Sequence, residues 1–232
     1  MIPLKDNIPS HRAPIVTIGL IAINVLVFLK QMMLPPQAQM RFVYYYGLIP
    51  VEIMSGDLLV PHPVPLYATI LTSMFVHGGL FHIAGNMLYL WIFGDNVEDR
   101  MGRIRFLIFY LLSGLAAALT QTLVSPDSKI PMVGASGAIS GVLGAYLVLF
   151  PHAGVMTLVI FGWFIRLVEI PALVVLGFWI VIQVLSGALT IGAQVGGVAW
   201  FAHIGGFFAG LIMALPLRRR TARVELERRE WS

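Results

Sequence analysis

Ser136 and His203 each sit in a glycine-rich, otherwise apolar stretch, Gly134-Ala135-Ser136-Gly137 and Ala202-His203-Ile204-Gly205-Gly206. An imidazole inside a long apolar segment is costly to desolvate, and by default such a group is functional and has a partner. Serine is a weak nucleophile until a base takes its proton, and imidazole is the side chain suited to that near neutral pH. Ser136 follows Gly134 where a helix is expected to begin, so its N–H is among the unpaired donors of a helix start, where developing negative charge is favoured. His82 and Asn86, four residues apart on one helical face, can offer side-chain donors to the same oxygen. A nucleophile, a base and oxyanion donors together point to acyl transfer or hydrolysis at a carbonyl.

Other chemistries fit less well. Small residues around a serine in an apolar helix are usually packing devices, and Ala138 stands where the hydrolase elbow carries glycine, so the serine motif draws its weight from its partners. His82 and His203 as haem or metal ligands lack a third ligand, and His-Glu-x-x-His is absent, so no metal and no cofactor is expected. The chain has no cysteine, which excludes disulfides, Fe–S clusters and thiolate chemistry. No acid lies inside any apolar segment at the level of Ser136, so the expected arrangement is a Ser–His dyad without a carboxylate. Proton- or ion-coupled transport, which commonly uses intramembrane acids, is the alternative from a different class.

The elements that must hold these groups are helices in a membrane. Apolar residues make up 58% of the chain and charged residues 11%, less than half the ~25% typical of a soluble domain. Apolar runs near the ~20 residues that cross a ~30 Å core fall at about 14–34, 76–95, 104–124, 134–150, 168–187 and 196–216. The predicted fold class is therefore all-α, a polytopic six-helix bundle over 14–216, with an N-terminal segment 1–13 and a basic tail 217–232. The first run is longer than a signal-peptide core and has no convincing cleavage site after it, so it is expected to be retained.

Placing the connections on alternate sides puts twelve of the fifteen lysines and arginines on the side of the two termini; Lys30, Arg41 and Lys129 fall opposite. By the positive-inside rule both termini are cytoplasmic, in a cell membrane. The net charge of +4 lies mainly in the tail, which suits anionic lipid headgroups and gives no nucleic-acid face. The 35–75 connection, with Phe42, Tyr44, Tyr45 and Tyr46, is expected on or in the outer leaflet. The uncharged stretch 187–196 has a composition suited to a mobile lid.

Depth ties the polar groups together. Ser136 is fifteen residues from Pro151, His203 fifteen from Arg218 and Asn86 fourteen from Arg100. At ~1.5 Å per residue all three lie about 21–23 Å above the inner boundary. Gly137 with Gly141, and His203 with Gly206 and Gly210, form small-residue faces that let helix backbones approach closely.

The sequence resembles the rhomboid intramembrane serine proteases over nearly its whole length from the first span to Gly210. The resemblance is carried by His77-Gly-Gly-Leu-Phe-His82-Ile-Ala-Gly-Asn86, by Gly134-Ala-Ser136-Gly137 and by Ala202-His203-Ile-Gly-Gly206-Phe-Phe-Ala-Gly210, in the family's order, with Glu98-Asp-Arg100 similar to its Glu-x-Arg element. It implies Ser136 as nucleophile, His203 as general base and then acid, and His82 with Asn86 as oxyanion donors. His77, Gly134, Gly137, Gly206, Gly210, Glu98 and Arg100 are the supporting positions. It also implies a six-helix core reached by water from the outer face, and single-span transmembrane proteins as substrates. Two departures stand out: Ala68 and Thr69 replace the Trp-Arg pair often found before the Thr72-Ser73-Met74-Phe75 stretch, and Ser140 replaces a tyrosine that in some members stacks on the imidazole. A rhomboid-like protein that binds membrane clients without cutting them is the further alternative.

Overall fold

The computed structural model describes residues 1–190 and 197–230, with the backbone alone for Phe164 and residues 218–230. Strand β1 (Ile2–Asp6) leads to α1 (Ile15–Met32). No side chain within α1 caps its start. The Glu98 carboxylate does so from elsewhere in the chain, accepting from Val16 N (3.0 Å), Thr17 N (2.7 Å) and Thr17 Oγ1 (2.8 Å), which satisfies donors that a helix start leaves open.

The 35–75 connection folds as α2 (Pro36–Tyr46), α3 (Pro50–Ser55) and α4 (Thr69–Thr72), the last between 3-10 turns Leu66–Ala68 and Ser73–Phe75. Both α2 and α3 begin on proline, whose missing N–H costs nothing at that position. Residues 66–75 meet α5 (Leu80–Met101) at a bend of 79°, the geometry of a broken span or of a re-entrant loop leading into a helix. Gly102, at φ +81°, turns the chain into α6 (Arg103–Val124), followed by α7 (Ser136–Leu149), α8 (Ala172–Thr190) and α9 (Trp200–Glu230).

Among the described residues four stretches are long and apolar enough to cross a membrane: α1, α6, α8 and Trp200–Leu217 of α9. The bent pair ending in α5 makes a fifth when its two parts are taken as one span. Helix α7 has 14 residues, so it is only ~21 Å long and falls short of a ~30 Å core. Eleven of its residues are buried, and its first residue, Ser136, therefore starts within the bundle. These six helices follow the expected apolar runs, with α5 displaced toward the C-terminus.

Helix α9 lies directly on α7. A Cβ on Gly206 would collide with the Gly137 carbonyl oxygen, and one on Gly210 with that of Gly141. Only glycine permits that backbone contact. By contrast α8 buries few residues, Ala172, Val175, Leu176, Gln183 and Gly187.

The sequence reading gave no strands, and the structure adds a three-stranded antiparallel sheet to the helical bundle. Between α7 and α8 the chain forms β2 (Gly154–Phe161) and β3 (Phe164–Pro171), paired from Gly154↔Pro171 to Phe161↔Phe164, and β1 joins the β2 edge. The N-terminal segment is thus part of the fold. Its Asp6 accepts from Tyr146 Oη (2.5 Å) and Asn96 Nδ2 (2.7 Å) on α7 and α5. The sheet marks the terminal face of the bundle, where α7 ends and α1 and α8 begin; Ser136 opens toward the other, the site face. Of the expected lid at 187–196, residues 187–190 end α8 and 191–196 lie outside the described residues. The expected lipid contact of the tail rests on side chains that also lie outside them.

Candidate active site

Three helices converge on one line of hydrogen bonds. His203 Nε2 lies 2.8 Å from Ser136 Oγ, and His203 Nδ1 lies 2.7 Å from Gln183 Oε1. The first is the expected dyad contact between α7 and α9. The second, from α8, is a contact the sequence reading missed. The Gln183 amide is oriented by its own nitrogen, which donates to the Trp179 carbonyl (3.4 Å). Its oxygen can then only accept, so Nδ1 carries the proton and Nε2 is left as an acceptor for the serine hydroxyl. His203 and Gln183 are both buried, and Ser136 is half-buried.

The imidazole is also held by rings. Trp179 lies tilted beside it, with centroids 5.8 Å apart, and Trp200 meets it edge-on at 6.3 Å. Ser140 does not replace the stacking tyrosine: its hydroxyl donates to the Ser136 carbonyl at 2.6 Å. One signal was available in the sequence, since Trp179 and Gln183 are i and i+4 on one face of the fifth apolar run.

His82 and Asn86 stand on α5 across the serine. His82 Nδ1 accepts from Gly78 N at 3.3 Å, leaving an Nε2–H donor. Asn86 is buried, and its Nδ2 has no hydrogen-bond partner among the described residues. A Cβ on Gly134 would lie 2.6 Å from His82 Nε2 and 3.4 Å from Asn86 Nδ2, and Gly134 has φ +119°. Both facts demand glycine, which lets the two donors close in beside the start of α7. Gly134 N donates to Ser73 O at 2.9 Å, tying this loop to the turn before α5. His77 packs edge-on against His82 at 5.1 Å, while its carbonyl accepts from Gln31 Nε2 at 2.9 Å.

Glu98 and Arg100 are remote from the serine. Glu98 fastens α1 to α5, and Arg100 is exposed at the same helix end. The loop that lacks the Trp-Arg pair is secured differently. Glu52 is fully buried, accepting from Leu59 N and Val60 N through Oε1 and pairing with His62 Nε2 (2.7 Å) through Oε2, while His62 Nδ1 sits 2.8 Å from the Tyr45 carbonyl.

Ser136, His203, His82 and Asn86 line one cleft of about 1130 Å³, walled by Met74, Phe81, Tyr89, Leu143, Trp179 and Trp200 together with the strands of loop at 132–134 and 197–199. No group of three or more His, Cys, Asp or Glu side chains able to hold a metal occurs among the described residues.

Long apolar helices around a buried polar cleft define a polytopic helical membrane protein. Residues 66–220 match the family profile described as "Rhomboid domain", and the chain belongs to the rhomboid family. It is 29% identical over 201 residues to Rhomboid protein 1, mitochondrial, of Saccharomyces cerevisiae, covering 84% of this chain and 51% of that protein. To Rhomboid protease GluP of Bacillus subtilis it is 35% identical over 147 residues, 63% of this chain and 26% of GluP. To Rhomboid-like protein 11, chloroplastic, of Arabidopsis thaliana it is 27% identical over 203 residues, 79% of this chain and 68% of that protein. The chain thus spans about half of the yeast protein and about a quarter of GluP.

Proposed function

We propose that this chain is an intramembrane serine endopeptidase that cuts a peptide bond in or near the transmembrane segment of single-span membrane proteins. The observation that carries the reading is the hydrogen-bonded line Ser136–His203–Gln183 at the cleft. In this reading His203 Nε2 takes the Ser136 hydroxyl proton as Oγ attacks the scissile carbonyl carbon. The carbonyl oxygen becomes an oxyanion that accepts from the Ser136 N–H, His82 Nε2–H and Asn86 Nδ2–H. His203 then gives its proton to the departing amine, leaving an ester on Ser136. A water molecule, deprotonated by His203, attacks that ester and restores the hydroxyl.

Kinship with a protein named as a protease, GluP, supports this. So does the Asn86 Nδ2, which has no hydrogen-bond partner among the described residues, since a buried donor left open is costly unless something uses it. The lysine and arginine bias favours a cell membrane with both termini in the cytoplasm, which puts the cleft toward the outer leaflet. The test uses a reporter transmembrane substrate and a fluorophosphonate probe on reconstituted protein. Wild type is expected to cleave and to label; Ser136→Ala and His203→Ala are expected to do neither. Absence of labelling in wild type would favour a client-binding protein without catalysis, and cleavage by both variants would end the assignment.

A further inference from the structure

The β2–β3 hairpin carries an apolar surface that the proposed catalysis does not use. Strand β1 covers β2 only as far as Leu158, its partner being Ile2. Beyond that point the hairpin is a bare two-stranded ribbon, an arrangement that is marginal in water. It turns through Gly162 at φ +59° and Trp163. Trp163 is 100% exposed and Phe161 83%, with Ile160, Ile165 and Leu167 exposed behind them. Since 160 and 161 point to opposite faces of a strand, both faces of the ribbon carry exposed apolar side chains among the described residues.

We propose that this distal hairpin is a lipid-binding element, seated with Phe161 and Trp163 in the headgroup–acyl boundary of the leaflet on the terminal face. The occupant follows from continuity. The hairpin leaves the bundle between the end of α7 and the start of α8, and the exposed Leu167 and Val168 of β3 run on into the exposed Leu173 and Val174 of α8, a membrane-spanning helix. One apolar surface therefore extends from the lipid-facing side of α8 to the hairpin tip. A fully exposed tryptophan at its end is the residue type that favours the membrane–water interface. Between Pro151 and Gln183 the charged residues are Arg166 and Glu169. Glu169 is engaged at the hairpin base, accepting from Asn7 Nδ2 at 2.7 Å.

The backbone limits the depth. Strand β3 is an edge, and open edges are not tolerated in hydrocarbon. The side chains at the tip therefore enter while the ladder stays among hydrated headgroups, a seat ~5–10 Å deep of the kind used by interfacial segments. Through its pairing with β2, the same seat holds β1, and with it the N-terminus, against the membrane.

The absence of cysteine allows direct placement by single nitroxides on the full chain in phosphatidylcholine–phosphatidylglycerol vesicles. Trp163→Cys is compared with Lys129→Cys, in the exposed loop between α6 and α7 on the site face, and Leu185→Cys, on the exposed side of α8. The label at 163 is expected to favour collision with oxygen over an aqueous nickel chelate, as at 185 but from a shallower depth. Nickel accessibility equal to that at 129 would overturn the proposal by placing the tip in water. Shielding from both reagents with spin–spin broadening would overturn it in favour of a second copy. A label at Ile160→Cys adds a second reading: Phe161→Glu with Trp163→Glu should raise its nickel accessibility several-fold, and Trp163→Tyr should not. An Ile160→Cys label that stays in lipid with both glutamates present would show that the tip is not the anchor.

Discussion

Gln183 accepts a hydrogen bond from His203 Nδ1 at 2.7 Å while the opposite ring nitrogen faces Ser136 Oγ at 2.8 Å. A neutral amide thus stands where soluble serine hydrolases place a carboxylate. The substitution suits the location. A carboxylate beside the imidazole would bring a charge into the membrane interior, where ionised groups are expensive. An amide oxygen fixes the tautomer without one.

Removing that acceptor should slow the reaction without weakening substrate binding. For Gln183→Leu, kcat is expected to fall about 10²-fold, the scale of loss when a catalytic group is misplaced, with KM nearly unchanged. Gln183→Glu keeps an acceptor at the same reach and should retain more activity than Gln183→Leu. Steady-state cleavage of a reporter segment in vesicles measures both. Equal rates in wild type and Gln183→Leu would leave the glutamine a packing residue.

Much of this site was legible in the sequence because polar groups in apolar runs are conspicuous and helix rise converts spacing to depth. Ser136, His203 and Asn86 were expected at one level, and they do line one cleft. Gln183 was not found. An uncharged amide near the end of an apolar run reads as ordinary, and only the fold shows which helix face meets His203. The hairpin was missed for a different reason: residues 154–171 are too apolar on both faces to show strand alternation, and the signal that existed was a β-branched and aromatic run around Gly162-Trp163. The Glu52–His62 pair, which secures the loop before α4, joins residues ten apart across a proline-rich stretch with no periodic pattern.

Asn86 offers a test that separates function from structure. Its buried Nδ2 has no partner among the described residues, so Asn86→Ala relieves an unsatisfied donor. Activity should drop by up to about 10²-fold through kcat, less than in Ser136→Ala because the remaining donors persist. The unfolding temperature should stay level or rise. A variant that lost activity and stability together would point to a packing role instead.

The α7–α9 contact predicts a sharp contrast between two glycines. In Gly206→Ala the new methyl meets the Gly137 carbonyl oxygen, whereas nothing lies within 4 Å of a Cβ on Gly177 in α8. Overpacking of this kind costs about 1–3 kcal/mol, and α9 must move away from α7, lengthening the Ser136–His203 contact. Gly206→Ala should therefore lose both stability and probe labelling, while Gly177→Ala keeps both. Denaturant titration in detergent and fluorophosphonate labelling read the two effects separately.

At the terminal face, Asp6 makes stability depend on pH. Burial pushes its carboxyl above the ordinary value of 3.8, outweighing the opposing hydrogen bonds from Tyr146 and Asn96. The folded state therefore holds this proton at pH values where the unfolded chain has released it. Stability from the protonated form is full below the unfolded pKa and is lost as pH rises through the folded one. The unfolding temperature of wild type minus that of Asp6→Asn, followed from about pH 4 to about pH 7, should decrease as pH rises, because the asparagine has no proton to lose. A difference independent of pH would show that Asp6 titrates alike in both states and that the β1 latch on Tyr146 and Asn96 holds equally well at either end of that range.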